Sequence, residues 1–400
     1  MLEQRIFPFG LVRYGVAPDH QSVKNVTDKF TQIAQHENFK FIGNVQVPRD
    51  ISIEKLLQDY NAVVVATGAK YDKKLGIKGE DSKNVFSAKD FVGWYNGEPD
   101  CQIQPSLKTD TAVIIGQGNV AIDCTRILLA DDFENTDISQ KALDLLKKSS
   151  IKNVHVIGRR GVLQVSFTTK EVRELQTKNI GYTPNPLIAK IQEENKEMLS
   201  KIENRPLSRL IQVMAKSKKG EFEKNWKLDF WKSPVEIVSE NNEIVGVKLA
   251  KNILENGKVK QTEEQEYIPC GLLIKSIGYE GEHLDGVPFN PNFKTIPNSQ
   301  GRVFDNAGNI VPGLYTAGWI KTGRGELAST LYDSQETCRS IVQDIPLFTE
   351  KPETTIDIPG STTFGDYLKL DKVEIKRGEP RGKLREKITS KQEMLELLKN

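Results

Sequence analysis

The chain has 400 residues, of which 38% are hydrophobic and 28% are charged, and its formal net charge at pH 7 is +2. This length and composition are typical of a globular protein of two or three domains, and the small net charge argues against nucleic acid as a partner. No apolar run approaches the ~20 residues that a bilayer-spanning helix needs. The four cysteines and four histidines show neither a C-x-x-C pair nor metal-ligand spacing, which argues against a metal site and fits a reducing compartment.

The N-terminal part combines an irregular segment with an apolar strand. Residues 6–20 are rich in glycine, proline and aromatic side chains, which predicts a shaped loop that packs on other parts of the protein. Residues 61–69 form an apolar run that ends in Thr67 and Gly68, as a parallel strand does where it leads into a ligand crevice. A core strand followed by an ordinary glycine turn explains the same run.

A glycine-rich pattern joins a strand to a helix within residues 110–123, where an apolar run turns through G-x-G-x-x-A into a second apolar-periodic segment. Gly116 permits the turn, Gly118 lets the backbone approach a pyrophosphate, and Ala121 keeps the helix close to its strand. The N–H groups of the first helical turn then face the anion. The pattern indicates a dinucleotide site, although glycine-rich turns also close ordinary strand–helix joints.

The next strand, within residues 151–161, ends in arginines and not in an acid. An Asp or Glu at this position accepts hydrogen bonds from a free 2′-hydroxyl, whereas a cationic pair neutralises a 2′-phosphate. Arg159 and Arg160 therefore favour NADP(H) over NAD(H). The alternative is an exposed basic turn without a ligand.

A helix with basic residues and a hairpin follow in the second half. Residues 194–218 are heavily charged and helical in pattern, and Arg205 and Arg209 lie one turn apart on one face, which is by default a solvated surface. Asn241 and Asn242 predict the turn of a hairpin.

The last informative stretch, residues 313–330, passes from a strand through glycines into a helix. This arrangement predicts a second anion or ring site at the helix N-terminus. Trp319 is either a flat wall of that site or a core residue.

Seven segments resemble the NADPH:adrenodoxin (ferredoxin) oxidoreductase family, a glutathione-reductase-like flavoprotein group, and the resemblance covers essentially the whole chain. The matching segments are P-F-G-L-V-R-Y-G-V-A-P-D-H (8–20), F-V-G-W-Y-N-G (91–97), G-Q-G-N-V-A (116–121), G-R-R-G (158–161), L-Q-V-S-F-T (163–168), S-I-G-Y (276–279) and Y-T-A-G-W-I-K (315–321).

The resemblance implies an α/β fold of two Rossmann-like, doubly wound domains. An NADP-binding domain at residues 108–282 would be inserted into an FAD-binding domain made of residues 1–107 and 283–400. The family opens with a strand and a G-x-G-x-x-G turn that bind FAD, and this chain begins after them. The first β–α unit of the FAD domain is therefore expected to be missing, which makes the N-terminal part truncated.

The resemblance also implies cofactors and their contacts. Electrons would pass from NADPH through FAD to a [2Fe–2S] ferredoxin similar to adrenodoxin. The residues expected to bind NADP are Gly116, Gln117, Gly118, Asn119, Val120, Arg159, Arg160 and Glu171. The residues expected to bind FAD are Glu3, Leu11, Val47, Trp319, Gly325, Glu326 and Leu327, with Gly325 also touching NADP. Glu326 departs from the family pattern, in which an apolar residue is usual beside the flavin.

Two further sets of residues match functional positions of the family. His20 and Asp123 match a catalytic pair near the flavin that assists proton movement and electron exit. Arg173, Arg205 and Arg209 match basic residues that dock the acidic ferredoxin by electrostatic steering.

The resemblance implies a mitochondrial location, for which this chain shows no presequence, and it is compatible with peripheral association with the inner membrane. Two alternatives stay open. In one, the truncated chain binds NADP(H) and a partner protein without flavin and without reductase activity. In the other, a related NADPH-dependent flavin oxidoreductase supplies a different acceptor.

Overall fold

The computed structural model describes residues 1–323, 327–352 and 354–399, with residues 327–329 described by their backbone alone. The α-helices are α1 (Gly10–Tyr14), α2 (Gln21–Lys24), α3 (Val26–Ala34), α4 (Ile53–Asp59), α5 (Ala88–Asn96), α6 (Asn119–Leu129), α7 (Gln140–Leu146), α8 (Thr169–Thr177), α9 (Pro186–Glu194), α10 (Lys196–Ser200), α11 (Arg205–Met214), α12 (Trp319–Thr322), α13 (Leu327–Asp344), α14 (Phe364–Gly378) and α15 (Lys391–Lys399).

The strands alternate with these helices over most of the chain. They are β1 (Val63–Val65), β2 (Tyr71–Asp72), β3 (Val85–Ser87), β4 (Thr111–Ile115), β5 (Asn153–Ile157), β6 (Gly181–Tyr182), β7 (Asn225–Asp229), β8 (Lys232–Glu240), β9 (Glu243–Glu255), β10 (Lys258–Pro269), β11 (Leu272–Lys275), β12 (Tyr279–Glu280), β13 (Asn298–Ser299), β14 (Arg302–Phe304) and β15 (Ile310–Thr316). Short 3-10 helices occupy Val162–Gln164, Ile202–Asn204, Ile345–Leu347 and Glu379–Arg381.

The chain divides into two compact units, each built from three segments. The parallel-sheet unit comprises Leu11–Asn25, Lys74–Ile277 and Lys372–Asn400. The mixed-sheet unit comprises Met1–Gly10, Val26–Lys73 and Gly278–Asp371. The cofactor assignment of the predicted domains 1–107, 108–282 and 283–400 stays a prediction.

The boundaries of the compact units differ from the predicted ranges. Residues 74–107 belong to the parallel-sheet unit because β3 pairs with β11 and α5 lies in that unit's core. The C-terminal segment belongs there as well, since buried Lys387 forms an ion pair with Asp137. The parallel-sheet unit therefore contains more of the chain than the predicted range 108–282.

A six-stranded sheet organises the parallel-sheet unit. Its strand order is β3-β11-β4-β5-β7-β6, and every pairing is parallel. Strand β4 reads TAVII and is buried along most of its length, as expected for a strand covered on both faces. Helices α5 and α6 pack in the same hydrophobic core. The predicted Rossmann-like α/β fold is confirmed.

An antiparallel sheet of order β10-β9-β8 also belongs to this unit. The predicted hairpin turn is confirmed, because Asn241 and Asn242 lie between β8 and β9 with φ values of 49° and 65°. Strand β10 was not predicted. Its sequence is strongly polar and most of its residues are exposed, so it lacks the alternation of apolar and polar residues that indicates a half-buried strand.

The mixed-sheet unit contains a four-stranded sheet of order β1-β15-β14-β13. Strands β1 and β15 are parallel, and they correspond to the strands predicted near residues 61–69 and 313–317. The segment predicted as a loop at residues 6–20 is wrong in part, because α1 begins at Gly10 within it. Among the described residues, no helix has the length and apolar character needed to cross a membrane.

Candidate functional site

The glycine loop lies at the carboxyl end of β4, in the middle of the parallel sheet. Gly116 has φ of +118°, and a Cβ there would collide with the backbone oxygen of Ser276, so this position requires glycine. Gly118 is the N-cap of α6 and is extended, with φ of −109° and ψ of 177°. Asn119 and Val120 form the first turn of α6, which places their backbone N–H groups at the positive end of the helix dipole. The predicted strand–turn–helix is therefore present.

Side chains of this loop connect it to neighbouring strands. The amide of Gln117 donates hydrogen bonds to the backbone oxygens of Val156 and Asp229, at 3.1 and 2.9 Å. The Asn119 side-chain oxygen accepts a hydrogen bond from the N–H of Thr168, at 2.8 Å. The side chains of Gln117 and Asn119 are thus occupied in holding the loop. If these two residues bind NADP as predicted, they do so through their backbone N–H groups.

The arginine pair follows strand β5, which is hydrogen-bonded directly beside β4. Both Arg159 and Arg160 are exposed. Because the carboxyl ends of parallel strands meet at one edge of a sheet, the glycine loop and the arginines lie at the same edge. This is the arrangement that the sequence predicts for a phosphorylated dinucleotide.

The loop geometry fits such a dinucleotide. In the part of the chain that the structure describes, no atom lies within 4 Å of a Cβ built at Gly118, and no side chain caps the N-terminus of α6. Backbone N–H groups at an open helix N-terminus bind phosphate, and guanidinium groups pair well with a second phosphate. The residues present therefore suit NADP(H).

A buried ionic cluster lies one helical turn further along α6. The Arg126 guanidinium is completely buried and donates to Asp123 at 2.8 Å, and its Nη2 lies 3.0 Å from Nε2 of His20. Nε2 of His20 is also 2.9 Å from the Glu174 carboxylate and 3.7 Å from that of Glu171. The structure thus brings together the predicted residues His20, Asp123 and Glu171.

Burial perturbs the acids of this cluster. Burial raises the pKa of Asp123, although the positive charges of Arg126 and His20 oppose the change. Burial also raises the pKa of Glu171, and the negative charge of Asp123 adds to the effect. Both carboxyl groups are therefore able to hold a proton more readily than exposed acids, as suits groups that take part in proton movement.

Three members of this cluster were missed by sequence reasoning. They are Arg126, Asp19 and Glu174. The sequence holds a weak indication of two of them. Arg126 lies three residues after Asp123, and Glu174 lies three residues after Glu171, so each lies on the same helix face as a predicted site residue. Asp19 directly precedes His20, but nothing in the sequence indicates that it contacts Arg126.

The basic residues predicted for partner docking lie on two neighbouring helices. Arg173 is on α8, and Arg205 and Arg209 are on α11; all three are exposed. The Gln176 side chain of α8 donates to the Val213 carbonyl of α11, which joins the two helices. The docking role of the arginines stays a prediction.

The residues predicted to bind FAD fall in both units. Glu3 and Val47 lie in the mixed-sheet unit and are half-buried, and the carboxylate of Glu3 accepts a hydrogen bond from the N–H of Arg5. Leu11 lies in the parallel-sheet unit and is 46% exposed. Gly325 and Glu326 lie outside the described residues, and Leu327 is described only as the first residue of α13.

Trp319 lies where a ring-binding wall is predicted. It follows β15 and stacks on Tyr279, with ring centroids 5.7 Å apart. Gly68 and Gly318 follow the paired parallel strands β1 and β15, with φ values of +71° and +75°. Among the described residues, no atom lies within 4 Å of a Cβ at either position. The two glycines leave space for a phosphate at this end of the strands, and the half-buried indole of Trp319 offers a flat surface for an aromatic ring. FAD has both a flat ring and phosphates, so the mixed-sheet unit suits FAD.

The parallel sheet, the glycine loop and the arginine pair define a nucleotide-binding α/β protein of the oxidoreductase type. No protein-family model matches the chain. Among curated relatives, the chain is 41% identical to the mitochondrial NADPH:adrenodoxin oxidoreductase of Salvelinus fontinalis over 430 residues, which covers 98% of this chain and 84% of that protein. The human protein of the same name is 41% identical over 431 residues, covering 99% and 86%. The chain belongs to the NADPH:adrenodoxin oxidoreductase family.

The solved structures agree with this assignment. FprA of Mycobacterium tuberculosis in complex with NADPH is 34% identical and superposes with a TM-score of 0.91, covering 100% of this chain and 92% of that one. The fold class and the recognised family are thereby confirmed, and the chain is an oxidoreductase. The relatives from animals, a plant and a fission yeast are named mitochondrial, which confirms the mitochondrial location.

Proposed function

We propose that this chain passes electrons from NADPH, through bound FAD, to a [2Fe–2S] ferredoxin of the adrenodoxin type. One observation carries the proposal. In a member of a family named for NADPH and adrenodoxin, the glycine loop and the Arg159–Arg160 pair lie at the carboxyl ends of adjacent parallel strands. This arrangement supports NADPH as the electron donor.

The NADPH-binding residues have separate tasks. The N–H groups of Gly118, Asn119 and Val120 receive the pyrophosphate at the start of α6. Arg159 and Arg160 receive the 2′-phosphate, which NADH lacks. Glu171, half-buried and 3.8 Å from Nη1 of Arg126, completes the proposed NADP set on α8.

FAD is held by the mixed-sheet unit. When bound, FAD supplies two-electron chemistry toward NADPH and one-electron chemistry toward an iron–sulfur cluster. Glu3 accepts hydrogen bonds from the ribose, and Val47 and Trp319 provide an apolar wall for the ring. Gly325, Glu326 and Leu327 complete the proposed FAD set by family resemblance.

Proton handling belongs to His20 and Asp123. Arg126 fixes the Asp123 carboxylate through a hydrogen bond of 2.8 Å and lies 3.0 Å from Nε2 of His20. Burial raises the pKa of Asp123, so its carboxyl group takes up a proton more readily than an exposed acid does.

The partner site is the exposed basic surface formed by Arg173, Arg205 and Arg209. Adrenodoxin-type ferredoxins are expected to present acidic surfaces, so cationic side chains steer their approach and fix their orientation. Peripheral association with the inner mitochondrial membrane is also part of the proposal, and co-sedimentation with anionic vesicles tests it.

The first experiment is the visible absorption spectrum of the chain purified after incubation with FAD. NADPH oxidation is then followed with a [2Fe–2S] ferredoxin and cytochrome c as the final acceptor. We expect flavin absorption, reduction that requires ferredoxin, and a strong preference for NADPH over NADH.

Two other outcomes contradict the proposal in different ways. Binding of NADPH without flavin absorption favours the alternative in which the chain only binds NADP(H) and a partner. Flavin absorption with NADPH oxidation but without transfer to any ferredoxin favours a different electron acceptor.

A further inference from the structure

Three hydrogen bonds hold the backbone segment that carries the two arginines, residues 158–161, here called the arginine loop. Three successive carbonyl groups, those of residues 158–160, all accept hydrogen bonds from the antiparallel sheet. The N–H of Lys232 donates to Gly158 at 3.0 Å, and the N–H of Trp231 donates to Arg160 at 3.2 Å. The Asn252 side chain donates to Arg159 at 2.8 Å. The position of the arginine loop is thus set by β8 and β9.

Trp231 packs directly against the end of this loop. A Cβ built at Gly161 would lie 2.6 Å from the indole ring, so only glycine lets the loop lie flat on the tryptophan. Trp231 itself has φ of +57°, a strained backbone conformation for a large side chain. Such strain persists only where surrounding contacts impose it, and at sites of recognition it frequently has a purpose.

Asn252 contacts both the arginine loop and Trp231. It is 3% exposed, and its amide nitrogen donates to the Arg159 carbonyl and also to the hydroxyl of Ser233, at 2.9 Å. Its backbone N–H donates to the Trp231 carbonyl at 2.7 Å. A single buried side chain therefore ties the arginine loop to the neighbouring sheet.

This rigidity has a specific consequence for exposed arginines. A long side chain loses rotamer freedom when it binds a phosphate, and this loss opposes binding. A backbone that is already fixed in the binding position lowers the total entropic cost, because only the side chain has to be ordered. The structure fixes the backbone at residues 158–161 while both guanidinium groups stay exposed. The loop is therefore preorganised for a group that arrives from solvent.

We propose that Asn252 and Trp231 are positioning residues that hold the arginine loop for the 2′-phosphate and so determine the preference for NADPH over NADH. The inference rests on the proposed NADPH function and adds the residues that make its selectivity possible. Neither side chain is required to touch the nucleotide.

The test measures binding and does not depend on electron transfer. Adenosine 2′,5′-bisphosphate differs from AMP only by its 2′-phosphate, so the ratio of their affinities isolates this site. We expect Asn252→Ala to weaken binding of the 2′,5′-bisphosphate roughly tenfold, since it removes a side-chain hydrogen bond to the loop. Trp231→Ala keeps the backbone hydrogen bond but removes the indole ring that packs against Gly161, and it should weaken the same binding. Binding of AMP should stay within about twofold.

Matched variants separate positioning from a general loss of structure. Trp231→Phe keeps a flat ring against Gly161 and should restore most of the affinity. Thr262→Ala lies in the same sheet, where its hydroxyl bonds the Lys251 carbonyl, and should leave both affinities unchanged. Thermal unfolding of each variant is measured in parallel. If Asn252→Ala does not fold, Ser233→Ala, which removes the second acceptor of the Asn252 amide, replaces it.

The outcomes are distinct. Equal loss of affinity for both nucleotides, or no loss for either, overturns the positioning role. Failure of the unaltered protein to prefer the 2′,5′-bisphosphate contradicts the proposed NADPH function itself. A selective loss in the variants supports the inference even in a preparation that does not reduce ferredoxin.

Discussion

Arg126 and Asp19 form a two-point ion pair, although they are 107 residues apart in the sequence. Nε of Arg126 lies 2.6 Å from one carboxylate oxygen, and Nη2 lies 3.0 Å from the other. Burial acts to raise the pKa of Asp19, but the hydrogen bond and charge of Arg126 outweigh it and lower the pKa. The pair joins the segment that carries His20 to the helix that carries Asp123.

Removing the Arg126 charge should strongly destabilise the protein. Arg126→Met removes the buried cation that half-buried Asp19 and Asp123 share, and breaking a buried ion pair from one side typically costs about 3–5 kcal/mol. We expect the urea-unfolding midpoint to fall accordingly. Arg49→Met removes an exposed ion pair to Asp50 and should change the free energy of unfolding by less than about 1 kcal/mol. Similar small changes in both variants would contradict the conclusion that the ion pairs of Arg126 stabilise the fold.

The two glycines of the loop should respond differently to the same substitution. Gly116→Ala places a Cβ against the Ser276 backbone in a left-handed conformation, so it should destabilise the protein by about 1–3 kcal/mol. Gly118→Ala adds a methyl group in open space with an extended backbone, and should leave stability unchanged. Because that space is the proposed pyrophosphate site, Gly118→Ala should nevertheless weaken NADPH binding.

Unfolding curves and NADPH titrations of the two alanine variants test this contrast. Normal NADPH affinity in the Gly118→Ala protein would mean that the pyrophosphate does not approach this part of the loop. Normal stability of the Gly116→Ala protein would mean that the loop can adopt another turn.

The nucleotide loop could be predicted because its requirements are local. The spacing of Gly116 and Gly118 indicates a tight turn whose backbone can approach a pyrophosphate closely. Arg159 and Arg160 follow the next apolar strand, at the distance in sequence that this motif leads one to expect. These features depend on a few neighbouring residues. For the same reason the central strands and the turn at Asn241 were found from their patterns alone.

The remaining features depend on contacts between distant segments. Nothing near Arg126 shows that Asp19 will meet it, and an arginine is rarely buried, so its central place in the site was not predicted. The place of the C-terminal segment in the parallel-sheet unit was not predicted, because its ion pairs are made with distant residues such as Asp137. Such pairings follow from the fold and have no sequence spacing of their own.

Lys387 should make the stability of the protein depend on pH above neutrality. Its buried ammonium group lies 3.0 Å from Asp137 and donates to the Arg13 carbonyl, and Lys24 shares the same carboxylate. Burial lowers the pKa of Lys387 to about 7, although Asp137 opposes this, and the charge of Lys24 adds to the lowering. The unfolded chain, with an ordinary lysine pKa, holds this proton up to about pH 10.5.

Between these two values the unfolded state binds more protons than the folded state, so the free energy of unfolding rises with pH. Lys387 contributes a slope of up to about 1.4 kcal/mol per pH unit in this range, and none below it. Urea unfolding between pH 7 and 9.5 should therefore show a smaller rise for Lys387→Met. The exposed Lys391→Met is the control, and an equal slope in both variants would falsify the assignment.

The arginine pair should discriminate between the two nicotinamide nucleotides. Arg159→Ala combined with Arg160→Ala removes charge-assisted hydrogen bonds worth about 1.5–3 kcal/mol each, so NADPH affinity should fall by about 100-fold or more. NADH affinity should change little, because NADH lacks the 2′-phosphate. Equilibrium titration with both nucleotides measures the ratio. A parallel loss for NADPH and NADH would place the arginines in a structural role.

Charge reversal on α11 should affect ferredoxin and leave NADPH untouched. Arg205→Glu combined with Arg209→Glu turns an attractive surface into a repulsive one, so the KM for an acidic ferredoxin should rise at least about tenfold at low salt. The difference should shrink as salt increases, because exposed charges are screened over about 8–10 Å at 0.10–0.15 M ionic strength. NADPH-dependent reduction of ferricyanide, a small acceptor that needs no protein docking, should stay constant.

Arg49→Glu combined with Arg339→Glu serves as the charge-matched control for the docking surface, since both are exposed arginines in the mixed-sheet unit. A rise in KM of the same size in this variant would show that net charge, and not the α11 surface, governs the encounter. Unchanged kinetics in the α11 variant would instead move the ferredoxin site to another face. A selective, salt-dependent rise is expected only if electrons leave toward a partner that docks beside α8 and α11, because long-range steering depends on where the charges lie.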